Sequence, residues 1–350
     1  MKSFFSLPLS QLESFVIEHG FTKVHAQTIY TQVYKHSKKS FHEIEGLPKK
    51  LYPLLEDNFI FDFLEIAKVQ ESIDDKTIKL LFKLSDGRTV ETVCVPFQKK
   101  YTLCLSSQVG CSMKCSFCFT GTQGLTRSLK EKEIILQYIQ AYNFIKEKFN
   151  GHQAAPNIVF MGQGEPLHNI EEVAQAISIL RINEGMGLGP RQITLSTAGY
   201  LPGIKRFKEL GGINFALSFH SPFNDERSEL IPLNKAYPIE KLIEELKALK
   251  LMKRQYLTFE YLVIKDLNHS KKHLEKIGEL LKGMPVIFNL IPFNEFPGAP
   301  YKRPLMESVE KFKVGLMELG FHAKIRTTKG DDILAACGQL TSEELEEALC

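Results

Sequence analysis

A chain of 350 residues with 43% hydrophobic and 24% charged residues excludes a disordered, collagen-like or membrane-spanning class, and leaves room for one large α/β domain with a small module attached. The net charge of +3 is too small to define a polyanion binder, but it is concentrated: residues 1–50 hold seven lysines and four histidines against four glutamates. Such a segment is as consistent with gripping phosphates as with a solvated lysine-rich face.

The opening stretch, MKSFFSLPLSQLESF, has one lysine, Pro8 and Glu13 but no small-residue cleavage site. It makes a poor secretory signal, so the protein is expected in the cytoplasm and off the membrane. Up to about residue 60 the apolar spacing is helical, through Leu9, Leu12, Val16 and Ile17 and again through Ile29, Val33 and Tyr34, with a break at Pro48. Between residues 65 and 97 the pattern turns to strands, IKLLFKL and VETVCVPF flanking Ser85-Asp86-Gly87 as a hairpin. Residues 1–97 therefore read as a basic α+β accessory domain.

From Tyr101 onward strands and helices alternate. Strands are expected at 102–106, 157–161, 192–196, 213–218, 257–263, 286–291 and 322–327, mostly apolar runs suited to a parallel sheet covered on both faces. Ser128 and Glu131 predict a capping box before IILQYIQAYNFI, and further helices are expected near 171–181, 238–250, 269–282 and 306–319. Residues 98–340 read as the core and 341–350 as a tail. The pattern fits an open doubly wound sheet or an incomplete (β/α) barrel equally well.

Nearly every unusual polar or glycine-rich segment ends or follows a strand: the cysteine triplet, Gly162-Gln163-Gly164-Glu165-Pro166, Ser196-Thr197-Ala198-Gly199, Ser218-Phe219-His220-Ser221-Pro222, Pro292-Phe293-Asn294 and Lys329-Gly330-Asp331-Asp332. Strand ends of this kind gather at the carboxyl edge of a parallel sheet, where α/β enzymes keep their active sites.

Seven cysteines in a reducing compartment argue for metal binding or catalysis rather than disulfides. Cys111, Cys115 and Cys118 can close on one inorganic centre from a single loop. Zinc normally takes a fourth ligand from a second knuckle, which the sequence lacks. A [4Fe–4S] cluster held by three cysteines would keep one iron open for a ligand, a departure from four-cysteine ligation. The spacing favours the cluster and leaves zinc as the alternative.

The motifs QVGCSMKCSFCFTGTQG, FMGQGEPLHN, LSTAGYLPGI, HSPFNDERSELIPLNKAYPIE, NLIPFNEFPGAPYKRP and GDDILAACGQL run collinearly from about residue 108 to 340. In this they resemble the RlmN/Cfr family of radical S-adenosylmethionine RNA methyltransferases, and FTKVHAQTIYTQVYK and SFHEIEGLPKKL extend the resemblance to the N-terminus. The resemblance implies an α/β fold, a partial (β/α)6 barrel core with the small N-terminal accessory domain. It implies one [4Fe–4S] cluster on Cys111, Cys115 and Cys118 and two S-adenosylmethionine molecules per turnover. Gly164 and Glu165 match the segment that holds the methionine amino group. Ser196, Ser218, Phe219, His220 and Asn294 match positions lining the cofactor.

By the same resemblance the reaction places a methyl group on carbon 2 of adenosine 2503 in 23S rRNA and adenosine 37 in tRNA. Carbon 2 is too electron-poor to attack a sulfonium methyl. The family moves the methyl first to a cysteine, here matching Cys337, and a radical made from the second S-adenosylmethionine takes hydrogen from it. The resulting carbon radical adds to the base. Glu91 matches the base that removes the carbon 2 proton, and Cys104 matches the thiol that attacks Cys337 sulfur to release the product. An electron donor such as flavodoxin and a monomeric chain complete the expectation. Two alternatives stand beside it: carbon 8 methylation of the same rRNA adenosine, as in the Cfr type, and a non-enzymatic metal-containing RNA-binding module.

Single residues at these places also have plain structural readings. Gly164 permits a turn, Ser196 caps a helix, His220 and Asn294 satisfy loop backbone, Cys104 packs in a core and Glu91 lies on a solvated strand face. Cys94, opposite in strand parity to Glu91, reads as core and Cys350 as tail. Gln163 stands where the family pattern has methionine, Phe219 where it has leucine, and the acidic tail from Ser342 replaces a basic extension. Lys35, Lys38, Lys39, Lys302 and Arg303 are candidates for phosphate contacts.

Overall fold

A computed structural model describes residues 1–98, 100–149, 154–249 and 256–341. The acidic tail with Cys350 lies outside the described residues. Alternating and continuous apolar runs build ten strands of one sheet: β1 Glu65–Glu71, β2 Ile78–Lys83, β3 Thr89–Phe97, β4 Lys100–Cys104, β5 Asn157–Phe160, β6 Ile193–Thr197, β7 Asn214–Ser218, β8 Leu257–Val263, β9 Val286–Pro292 and β10 His322–Ile325. Their order across the sheet is their order in the chain. β1 to β4 are antiparallel neighbours, and from β4 onward every pairing is parallel.

That order separates the two architectures that periodicity left open. A doubly wound sheet reverses its strand order at a switch point, and none occurs between β4 and β10. The parallel strands wind one way, as in a partial barrel, with β10 and β1 as the two edges of the sheet. The sheet also runs without a break from the hairpin strands into the parallel ones. Val93 pairs with Cys104 and Cys94 with Leu103, which places the face of β3 that carries Glu91, Val93 and Val95 beside the end of β4.

Helices Glu131–Lys148, Ile170–Leu180, Ile239–Ala248, Lys271–Leu280 and Met306–Glu318 connect the parallel strands. Their apolar stripes and the sheet share one large core, which also takes in the N-terminal helices Leu9–Glu18 and Lys23–Tyr34 and an aromatic cluster where Phe4 stacks on Phe61. Among the described residues no helix is long and apolar enough to cross a membrane.

The capping box expected at Ser128 and Glu131 is corrected. Ser128 ends a short strand, Leu125–Ser128, that pairs with Gln108–Gly110, and its hydroxyl accepts from Gln108 Nε2 at 3.2 Å. The helix begins at Glu131, and the Glu133 carboxylate accepts the Lys130 N–H at 2.8 Å. Glu133 also holds Arg127, with Nη2 to Oε1 at 2.8 Å. The strand pairing claimed Ser128, so the carboxylate at the third helical position caps the helix without a hydroxyl partner.

Candidate active site

Strand ends and the loops after them enclose a cavity of about 150 Å³. Cys111, Cys115 and Cys118 line one part of it, and Gly164, Glu165, Ser196, Ser218 and His220 line another. The cysteine loop is wound tightly. Cys118 N donates to Cys115 O at 3.2 Å, and a Cβ at Gly121 would lie 2.6 Å from Cys115 O, so the helix after the loop approaches its backbone only through a glycine. Burial pushes all three thiols up, Cys111 to about 12, so binding an electrophilic centre there must displace protons. Among the described residues no group of His, Cys, Asp and Glu closes on a single-ion site. Three thiols from one loop line the same cavity, a donor set whose chemistry fits an iron–sulfur group.

Gly164 sits at φ +99°, and a Cβ there would lie 2.5 Å from Gln108 Cβ and 2.9 Å from Gln108 N. Gly164→Ala is therefore expected to cost about 1–3 kcal/mol through backbone strain and overpacking, and to displace the neighbouring carboxylate. A thermal melt and S-adenosylmethionine titration check both effects.

Glu165 is fully enclosed. Its carboxylate accepts from Leu167 N at 3.1 Å and Ala198 N at 2.8 Å, yet burial outweighs these bonds and pushes its pKa up to about 7. The acid is neutral below that value and anionic above it. If the carboxylate receives an ammonium group, affinity for S-adenosylmethionine rises as pH goes from 6 to 8. Glu165→Gln is expected to flatten that dependence and weaken binding about 10- to 100-fold, the loss of one charge-assisted hydrogen bond. Isothermal titration across that pH range measures it.

His220 Nδ1 accepts from Leu262 N at 3.0 Å, which leaves the proton on Nε2, and burial first and Arg227 second hold its pKa down to about 3. It is a neutral imidazole bordering the cavity, with Phe117 edge-on at 4.7 Å.

A second, smaller cavity adjoins the first and shares Met161, Ile291 and Cys337 with it. Cys104, Cys337, Asn294 and Arg326 line it together with Val93 and Leu340. Burial raises the Cys104 thiol to about 12, Cys337 raising it further and Arg326 opposing. Arg326 is itself held up in pKa chiefly by Cys337, with Glu260 and Cys104 adding to the effect. Asn294 Nδ2 donates to Cys337 O at 3.2 Å, and Phe119 N, one residue past the cysteine triplet, donates to Gly338 O at 2.7 Å. The segment carrying Cys337 is thereby tied to the cysteine loop.

Residues 105–277 match the Radical SAM superfamily. The chain is 40% identical over 343 residues to the dual-specificity RNA methyltransferase RlmN of Syntrophus aciditrophicus (strain SB), covering 98% of this chain and 97% of that protein. It is likewise 40% identical over 337 residues to RlmN of Nautilia profundicola, covering 93% and 94%. The crystal structure of a radical SAM methyltransferase from Sphaerobacter thermophilus superposes with a TM-score of 0.88 at 36% identity, covering 97% of this chain and 99% of that one. The chain belongs to the RlmN family of radical SAM methyltransferases.

Membership of the RlmN family implies S-adenosylmethionine and a [4Fe–4S] cluster, and the thiols of Cys111, Cys115 and Cys118 are the donors here that fit the cluster. Glu165, Ser196, Ser218 and His220 border the same cavity, where the second ligand would meet it. Two expected cofactor residues fall elsewhere. The Phe219 ring is fully buried, stacked on Phe259 at 5.1 Å and in edge contact with Phe288, and so points away from the cavity that its neighbours Ser218 and His220 line. Asn294 lines the smaller cavity, against Cys337. Glu91 lines neither cavity. It is buried at 2% exposure, not on a solvated face, and lies next to Cys337's segment.

Several functional side chains escaped the sequence reading. Arg227 is fully buried and donates to the carbonyls of Ala198, Ser218 and Phe219, tying two cavity-lining loops together. Arg326 directly follows the last parallel strand, His322–Ile325, and lies within the stretch 322–327 expected as that strand. Gln163 Oε1 accepts from Glu91 N at 3.2 Å, so this departure from the family pattern touches the expected catalytic strand. Of the phosphate candidates, Lys39 pairs with Glu147, Lys302 with Glu295 and Arg303 with Asp331, while Lys35 donates to Asn183 O.

Proposed function

We propose that the chain methylates carbon 2 of adenosine in 23S rRNA, at adenosine 2503, and in tRNA, at adenosine 37, by way of an S-methylcysteine at Cys337. The observation that carries the reading is the meeting of Cys104 and Cys337 in the lining of one small cavity, Cys337 also lining the cavity of the cysteine triplet. When bound, the cluster and S-adenosylmethionine supply an electrophilic methyl group and, after one-electron reduction by a donor such as flavodoxin, a radical able to take a hydrogen atom.

The protein's own residues do the rest. Cys337 as thiolate accepts the methyl group, a task that electron-poor carbon 2 cannot perform. Its S-methyl carbon, less one hydrogen atom, bonds to carbon 2, and the adduct gives up its one unpaired electron to a one-electron acceptor and its carbon 2 proton to Glu91, which restores a closed-shell ring. Cys104 as thiolate attacks Cys337 sulfur, forming a disulfide, while the electron pair of the broken carbon–sulfur bond takes up a proton to complete the methyl group and free the base; ordinary thiol exchange with a dithiol reductant restores both cysteines. The target base must leave its stack to reach the sheet edge.

Mass spectrometry of both RNA pools, after deletion of the gene and after its return, tests the proposal. Loss and recovery of 2-methyladenosine in both is expected. Recovery of 8-methyladenosine would transfer the chain to the Cfr type. Stoichiometric zinc with no brown chromophore after anaerobic purification would sink the enzymatic reading.

A further inference from the structure

Lys79 has no part in the chemistry described so far, yet it is among the largest fully buried side chains of the protein. It projects from β2 onto the same sheet face as Glu91 on β3, one diagonal step away in register. Its Nζ lies 2.9 Å from Glu91 Oε1 and donates to Leu334 O at 3.3 Å. The other oxygen of Glu91 accepts from Thr341 N at 2.8 Å. Leu334 and Thr341 bracket Cys337. At the near end of the same segment Gly330 N donates to Asp75 Oδ2 at 2.9 Å, and Ile73 N donates to Asp332 Oδ2 at 3.0 Å. The segment also folds back on itself, Ala335 N reaching Gly330 O at 2.8 Å.

We propose that Lys79 is a positioning residue: with Glu91 it forms a buried clamp on β2 and β3 that seats the Cys337 segment, so that one ion pair fixes both the proton-accepting carboxylate and the methyl-carrying thiol. The inference rests on the carrier role of Cys337 for its functional meaning, but not for its geometry. A buried pair of charges is a poor source of stability compared with apolar residues, whereas a buried charge deprived of its partner is strongly destabilising. The Lys79 and Glu91 pair therefore does little for the fold as a whole. It acts on whatever backbone completes its hydrogen bonding, and here that backbone is the carbonyl of Leu334 and the amide of Thr341.

Hydrogen exchange on the full-length, cluster-loaded chain reads the clamp without relying on activity. In Lys79→Met the aliphatic stem is kept and the charge is lost, which takes the ammonium from beside the carboxylate. Exchange of the 330–341 peptide is expected to rise at least about tenfold, while the β8 peptide 257–263 stays at the wild-type rate. In the double variant Lys79→Met with Glu91→Gln no charge is buried and the carboxamide oxygen still accepts from Thr341 N. Protection of 330–341 is expected to return to within about threefold of wild type. Kinetically, Lys79→Met should lower kcat for RNA methylation and leave KM for RNA unchanged, since Lys79 itself reaches Glu91 and Leu334 O and acts through them.

Unchanged exchange of 330–341 in Lys79→Met would overturn the proposal. So would a parallel rise in 330–341 and 257–263 that the double variant does not reverse, because Lys79 would then support the fold at large. If the exchange pattern holds but the wild-type chain leaves RNA unmethylated, the clamp stands and the methyl-carrier reading fails alone.

Discussion

Replacing Cys104 by Ala is expected to yield a chain that reacts once and stays bound to its RNA. The variant is expected to accumulate a covalent protein–RNA adduct, one per chain at most, visible as a gel-shifted band that ribonuclease trims and that peptide mapping locates at Cys337. Iron content and the cluster's absorbance should match the wild type, since Cys104 is separate from the triplet. The argument is local. Cys104 ends β4 and lines the small cavity with Cys337, and loss of one sulfur at a half-buried strand end removes little packing. Under the proposed chemistry, what it removes is the nucleophile that severs the bond to the product. Burial holds this thiol at a pKa of about 12, so it is protonated at neutral pH and its thiolate fraction grows about tenfold for each unit of rising pH. In the wild type, decay of a trapped adduct should therefore accelerate with pH up to the point where another step limits. Ordinary turnover by Cys104→Ala, with no adduct, would show that another group resolves the intermediate.

The strands were readable because most are apolar runs bounded by polar strand ends, and all seven parallel ones form close to where they were expected. The cysteine triplet was readable for a similar reason: it is local. Properties that depend on which strand lies beside which were not. Choosing the singly wound sheet over the doubly wound one needed the pairing order of β4 to β10, which no local pattern encodes. Ser128 looked like a helix cap because nothing in the local sequence reveals its pairing with Gln108–Gly110. Phe219 was carried along by its neighbours Ser218 and His220, although its own ring packs against Phe259 and Phe288. Glu91 was expected as the catalytic carboxylate from the resemblance alone; a hairpin strand by itself suggests a solvated face, and the segment that covers Glu91 arrives from far along the chain. The Lys79 partner was latent in the hairpin register: two opposite charges on one face of adjacent apolar strands.

Cys337→Ala should separate making the radical from using it. RNA methylation is expected to fall to background and no methyl group should be found on the protein, while iron content and reductive cleavage of S-adenosylmethionine persist. The distinction follows from placement. Cys337 borders the cavity of the triplet but belongs to a segment held by other atoms: its own carbonyl by Asn294 Nδ2, Gly338 O by Phe119 N, and Leu340 O by Thr120 Oγ1 at 2.7 Å. None of these bonds uses the sulfur, so the alanine variant keeps its seat, and the change is chemical. A direct polar transfer from S-adenosylmethionine to carbon 2 would be indifferent to the substitution. Retained RNA methylation by Cys337→Ala would therefore refute the carrier assignment. Lost methylation with intact cofactor cleavage leaves the thiol as the group that turns an electrophilic methyl into one that an electron-poor carbon can accept.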